Sequence, residues 1–175
     1  ATDGGSAAVT DSFQLTVTNT NDAPTGAVTI SGTATEGQVL TAVSTLADVD
    51  GLGTLSYQWS ENGAVISGAT SSTLTLGQSQ VGKAITVAVS YTDGGGTVET
   101  KTSAATSSVV NINDAPTGSV SISGTATQGQ VLTAVSTLAD VDGLGTLAYQ
   151  WSEGGVAISG ATSSTLTLGQ SQVGK

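Results

Sequence analysis

The sequence predicts an all-β protein of tandem β-sandwich domains in a linear array, and three observations predict it. Apolar and polar residues alternate at period two in short runs punctuated by Gly, Asp and Asn, the pattern of strands and turns rather than of helices. The segment from Asn21 to Lys83, opening NDAPTG, returns nearly unchanged from Asn113 to Lys175, so that Trp59 maps onto Trp151 at a period of 92 residues. Solenoid repeats are shorter, about 20 to 50 residues, so each copy here is expected to fold around its own core.

Taken in order, strands are expected over 27–31, 38–44, 54–60, 64–67, 73–76 and 84–92, with a last one ending at Ile112. The strand over 84–92 is the clearest. Ile85, Val87, Val89 and Tyr91 fall on one face and Ala84, Thr86, Ala88 and Ser90 on the other, so the first set should point inward. Leu55, Tyr57 and Trp59 alternate in the same way, which places Trp59 in the core. Seven strands in about 90 residues, with a Trp on the third, suggest a sandwich of the immunoglobulin type. Residues 1–20 read as the closing strands of a preceding module, 21–112 as a complete repeat and 113–175 as a truncated second repeat with no counterpart of 84–112.

Composition narrows the function. Three Lys, no Arg and thirteen Asp plus Glu give a formal charge of −10, so no basic patch exists to hold a nucleic-acid backbone. The chain has no Cys and no His, which removes disulfides, zinc centres, thiol nucleophiles and imidazole bases together. Oxygen ligands remain plentiful, so a bound metal should be a hard cation, with calcium first. Hydrophobic residues reach 37% and charged residues only 9%, unlike a disordered chain. No apolar run approaches the roughly 18 to 20 residues of a membrane span, and no signal peptide is visible. The chain reads as a slice of a longer protein.

From Glu36-Gly-Gln through Tyr57-Gln-Trp59, Ser72-Thr-Leu-Thr-Leu76 and Val81-Gly-Lys-Ala-Ile-Thr-Val87, the unit resembles the bacterial immunoglobulin-like repeats of giant secreted surface adhesins. It lacks the cysteine pair of antibody domains, so Val, Ile and Leu packing must hold its sheets. The first residues, Ala1-Thr-Asp3-Gly-Gly, Ser12-Phe-Gln-Leu-Thr-Val17 and Asn19-Thr-Asn21-Asp22-Ala-Pro24, are similar to the end of a cadherin-like module. The resemblance implies an extracellular protein on a bacterial surface, or secreted from it.

The carboxylates are few and clustered. In a sandwich of this topology Asn21-Asp22, the Asp48-Val-Asp50 loop and Asp93 fall at one pole, where an Asp-x-Asp pair can turn two carboxylates toward one ion. The cadherin resemblance implies more, since cadherins bind calcium at domain junctions. Asp3 and Asp93 match the Ala-x-Asp position, and Asn21-Asp22 with Asn113-Asp114 match the linker. Asp48 with Asp50, and Asp140 with Asp142, match the paired aspartates; Glu36 matches the Glu of the opposite pole. Asn19 and Asn111 stand where cadherins usually place Asp. One junction would then combine Glu36, Asn111, Asn113, Asp114, Asp140 and Asp142, whereas the second copy has Gln128 in place of Glu36. The same Asp-Gly and Asn-Asp steps are also ordinary turn formers.

Catalysis is not expected. A copied pair of carboxylates suits a copied joint better than a duplicated active site, Ser and Thr have no His base, and Gly94-Gly95-Gly96 precedes no helix that would cradle phosphate. The expected role is a structural extender whose neighbouring repeats are stiffened by calcium at their junctions. The alternatives are an adhesive module for carbohydrate or protein and a subunit of laterally associated filaments.

Overall fold

The computed structural model describes Gly4 and residues 11–175 and divides the chain into two units, Ala1–Val110 and Asn111–Lys175. The alternating segments pair as antiparallel strands. In the first unit they are β1 (Val28–Ser31), β2 (Val39–Ser44), β3 (Ser56–Glu61), β4 (Ala64–Val65), β5 (Thr73–Thr75), β6 (Ile85–Thr92) and β7 (Val98–Thr102). One sheet has the order β1-β2-β5 and the other β4-β3-β6-β7. Their inner faces share one core: Val28 and Leu40 come from the first sheet, and Trp59, Ile85, Val87 and Val89 from the second. This is the two-sheet arrangement of immunoglobulin-type sandwiches, with the fourth strand beside the third.

The long strand behaves as its alternation predicts, with Ile85, Val87 and Val89 fully buried. Opposite them, Trp59 pairs with Val87 and Tyr57 with Val89. Trp59 is wholly enclosed, and its indole N–H donates to the Ser71 carbonyl at 2.8 Å, so the ring is buried without an orphaned donor. Asn62 and Gly63, both at positive φ, close the two-residue hairpin between β3 and β4, as an Asn-Gly pair favours.

The last strand differs from the expectation. It ends at Thr102, because the following segment advances three residues, from Ser103 to Thr106, while β6 steps back two, from Val87 to Ile85. The ladder survives through side chains: the amides of Val87 and Ile85 donate to the hydroxyls of Ser103 and Thr106. Beyond this bulge-like step the chain returns as two isolated parallel bridges, Val109 to Val81 and Val110 to Thr35. Residues 11–20 carry no strand and are exposed; the alternating Phe13, Leu15 and Val17 find no partner strand among the described residues. Apart from Gly4, residues 1–10 lie outside the described residues.

The second unit repeats the first sheet as β8 (Val120–Ser123), β9 (Val131–Ser136) and β12 (Thr165–Thr167), in the order β8-β9-β12. The register is preserved: Val28 faces Ser44 in the first unit and Val120 faces Ser136 in the second. The remaining strands, β10 (Ser152–Glu153) and β11 (Val156–Ala157), form a two-stranded hairpin. Trp151 keeps its bond to a carbonyl, here that of Ser163 at 2.9 Å.

Candidate functional site

The bridge between Thr25 and Ala47 ties the start of β1 to the loop after β2, and the segment preceding β1 therefore lies against that loop. Within the loop, the Asp50 amide donates to Asp48 Oδ1 at 2.8 Å, a local Asx turn that sets the two carboxylates at different angles. Asp50 reaches the preceding segment. Its Oδ1 accepts from the Asn19 side-chain amide and its Oδ2 from the Asp22 backbone N–H, each at 2.6 Å. These two bonds hold the Asp50 carboxyl below its ordinary value, the Asp22 contact being the larger cause and Asn19 the second.

Asp48 turns the other way, toward the sheet. Its Oδ2 accepts from the Tyr91 hydroxyl at the end of β6, at 2.5 Å. The phenol is pushed well above its usual range, first by burial, then by its bond to Asp48, and further by the charges of Asp48, Glu99 and Asp93. Two glycines permit the close approach. A Cβ on Gly94 would stand 2.4 Å from the Asp50 carbonyl, to which the Gly94 amide donates at 3.0 Å, and a Cβ on Gly53 would stand 2.0 Å from the Thr92 carbonyl.

Asp93 closes the turn between β6 and β7, its Oδ1 accepting from the Thr97 amide at 2.8 Å. The residue is 6% exposed, and Oδ2 is the one buried side-chain polar atom without a partner among the described residues. Asn21 binds elsewhere, donating to Glu99 on β7 at 2.9 Å. Asn19, Asn21, Asp22, Asp48, Asp50 and Asp93 are thus gathered at one pole of the first unit. Asp3 lies outside the described residues.

The second unit copies the arrangement. Asn111 donates to Asp142 Oδ1 at 2.9 Å and the Asp114 amide to Oδ2 at 2.6 Å, while the Asp142 amide donates to Asp140 Oδ1. Asn113 caps the Asp114 carbonyl at 2.9 Å. Glu36 sits in the turn after β1, at the other end of the first sandwich, where its amide donates to Val110. Glu36 belongs to the first unit and Asn111, Asn113, Asp114, Asp140 and Asp142 to the second.

Two partners were not singled out from sequence. Tyr91 was assigned to the core by alternation, but an inward Tyr at a strand end carries a hydroxyl that must be met, and Asp48 meets it. Glu99 faces Tyr91 across the β6–β7 pair, a register that only the turn fixes.

Calcium takes six to eight oxygen ligands. Among the described residues no three Asp or Glu converge to hold a metal ion. Each of the four carboxylate oxygens of Asp48 and Asp50 accepts one N–H or O–H donor, which leaves each oxygen a second acceptor site. Asn19 donates to Asp50 through Nδ2, which leaves its Oδ1 as an acceptor. Among the described residues only Asp93 Oδ2 is a buried side-chain oxygen with no hydrogen-bond partner.

No protein-family model, no curated protein and no solved structure matches this chain. Among the described residues no helix is long and apolar enough to cross a membrane.

Proposed function

We propose that the chain is a stretch of structural extender repeats from a long bacterial extracellular protein, in which each sandwich is a spacer and each carboxylate pole a latch. The latch fastens the segment that leads into a sandwich onto that same sandwich through Asp50 or Asp142. One observation carries the reading. Val110 is bonded within the first unit, donating to Ala34 and accepting from Glu36, and the very next residue, Asn111, is bonded to Asp142 within the second. Each unit thus bonds its own boundary residue, as a repeat built to be joined in series requires. The resemblance to surface adhesins supports the extracellular placement.

A second reading keeps calcium, and the lone oxygen of Asp93 favours it. An ion drawn to that oxygen would need further oxygen ligands from the same pole. Small-angle scattering of the chain and of its Asp142→Ala variant, in chelator and in millimolar calcium, separates the readings. The latch expects the same distance distribution with and without calcium, and a broader one for the variant. Identical distributions for chain and variant in chelator count against the latch; a calcium-dependent narrowing in the unaltered chain favours the ion.

A further inference from the structure

Charge is kept off one whole sheet of the sandwich. Among the strands of the first unit it occurs only at Glu61 on β3 and at Glu99 and Lys101 on β7, all in the second sheet. The other charged side chains of residues 21–110 lie outside the strands. Asp22, Asp48, Asp50 and Asp93 gather at one pole, Glu36 stands in the turn at the other, and Lys83 pairs with Glu61. Glu99 and Lys101 face Tyr91 and Val89 across the ladder, so both lie on the inner side of an edge strand, a placement that deters pairing with another chain. β1, β2 and β5 carry no such guard. Their outward side chains are short and exposed, and they meet in rows: Thr29 beside Val43, Thr41 beside Thr73, and Val39 beside Thr75. Val39 is 49% exposed and Val43 41%. The second unit repeats the rows as Ser121 with Val135, Thr133 with Thr165 and Val131 with Thr167, where the one exchange, Thr29 for Ser121, keeps a small hydroxyl.

We propose that this outer face of β1-β2-β5, with its copy on β8-β9-β12, is a lateral docking surface whose occupant is the same face of a second copy of this chain. Charge selects the partner. Two chains of formal charge −10 repel each other wherever carboxylates meet, and on this sheet none does. The hydroxyls select it too. A Ser or Thr hydroxyl both donates and accepts, so a surface of them complements itself, as a two-fold pairing requires. Short Thr and Val side chains let two such sheets approach to about 10 Å and cover Val39 and Val43. Size sets the strength. Three strands about 4.8 Å apart, with 3 to 6 residues at about 3.3 Å each, give a face on the order of 200 Å², far below the roughly 800 Å² per partner of a stable pair. One face therefore pairs weakly, and each further unit supplies another of the same kind. The pairing goes beyond the spacer reading and does not use the latch.

Sedimentation equilibrium of the 175-residue chain tests the face, from micromolar to millimolar concentration and at low and high salt. A dissociation constant of about 1 mM gives about a 1.5-fold rise in weight-average mass at the upper end. The rise should grow with salt, which screens the net charge. A T41D/T133D variant places a carboxylate on each face and should remain a monomer. A V98D/T100D variant adds the same charge on β7 and should associate like the parent. Amide spectra of β6 confirm that both variants stay folded. In the parent, rising concentration should shift or broaden the amides of β1, β2 and β5 and spare those of β7. A chain that is monomeric at millimolar concentration in high salt, association unchanged in T41D/T133D, or equal loss in both variants would each overturn the proposal.

Discussion

The Tyr91 hydroxyl at the end of β6 donates to Asp48 Oδ2 in the loop after β2, bonding one sheet of the sandwich to the loop that leaves the other. Asp48 thereby anchors the Asp50 turn, and Asp50 fastens the segment before β1. The latch is a relay of three bonded layers, sheet to loop to leading segment, with no covalent cross-link.

Removing the phenol should loosen the base of this relay. Tyr91→Phe is expected to lower the urea midpoint at neutral pH. It should also change the alkaline limb. A phenol whose pKa is raised by burial and by Asp48 stays protonated in the folded chain where the unfolded chain has lost its proton. Its stabilising contribution is whole below about 10 and is lost as pH climbs beyond that value. Urea midpoints from pH 7 to 11 should fall more steeply for the parent than for the variant, and parallel curves would speak against the assignment.

Asp50 titrates in the opposite sense. Its depressed pKa means that the stability it lends is present above the ordinary value of 3.8 and drains away as pH falls through the lower folded value. In Asp50→Asn the Asp22 amide should exchange faster at neutral pH, and the acid-induced release of residues 19–22 should vanish. Retention of that acid transition in the variant would place its origin elsewhere.

Close backbone contact at Gly94 can be tested by one methyl group. Gly94→Ala sets a Cβ against the Asp50 carbonyl and must break the Gly94–Asp50 bond or move the loop. The expected cost is about 1 to 3 kcal/mol, in the range of other overpacked sites, read by denaturant unfolding. A neutral result would show that the loop yields freely.

The shared core of the two sheets in the first unit predicts a large mutant cost. Leu40 is fully buried, so Leu40→Ala should cost about 2 to 5 kcal/mol. A loss well below that range, measured by exchange of the first unit's core amides, would contradict the packing.

Much of the fold was legible because its information is local. The alternation of Ile85, Val87, Val89 and Tyr91 specifies an inward face, and Asn62-Gly63 specifies a hairpin, whatever lies far away in sequence. The break after Thr102 was not legible, since it depends on Ser103 and Thr106 replacing ladder partners of β6. The pole was half legible. Sequence located Asp48, Asp50, Asp22 and Asn19 together but could not say that each oxygen of the first two accepts a donor. The Asn at 19 and 111 was the available signal, because an amide beside a carboxylate can donate where an Asp would repel.

The most direct measurement is amide exchange at Asp114 in the intact chain, with calcium removed by chelator. The Asp114 N–H donates directly to Asp142 Oδ2, so the latch expects it to stay protected in chelator and to change little when calcium is restored. Exchange at the rate of an unstructured peptide in chelator, with protection appearing only on calcium addition, would contradict the account.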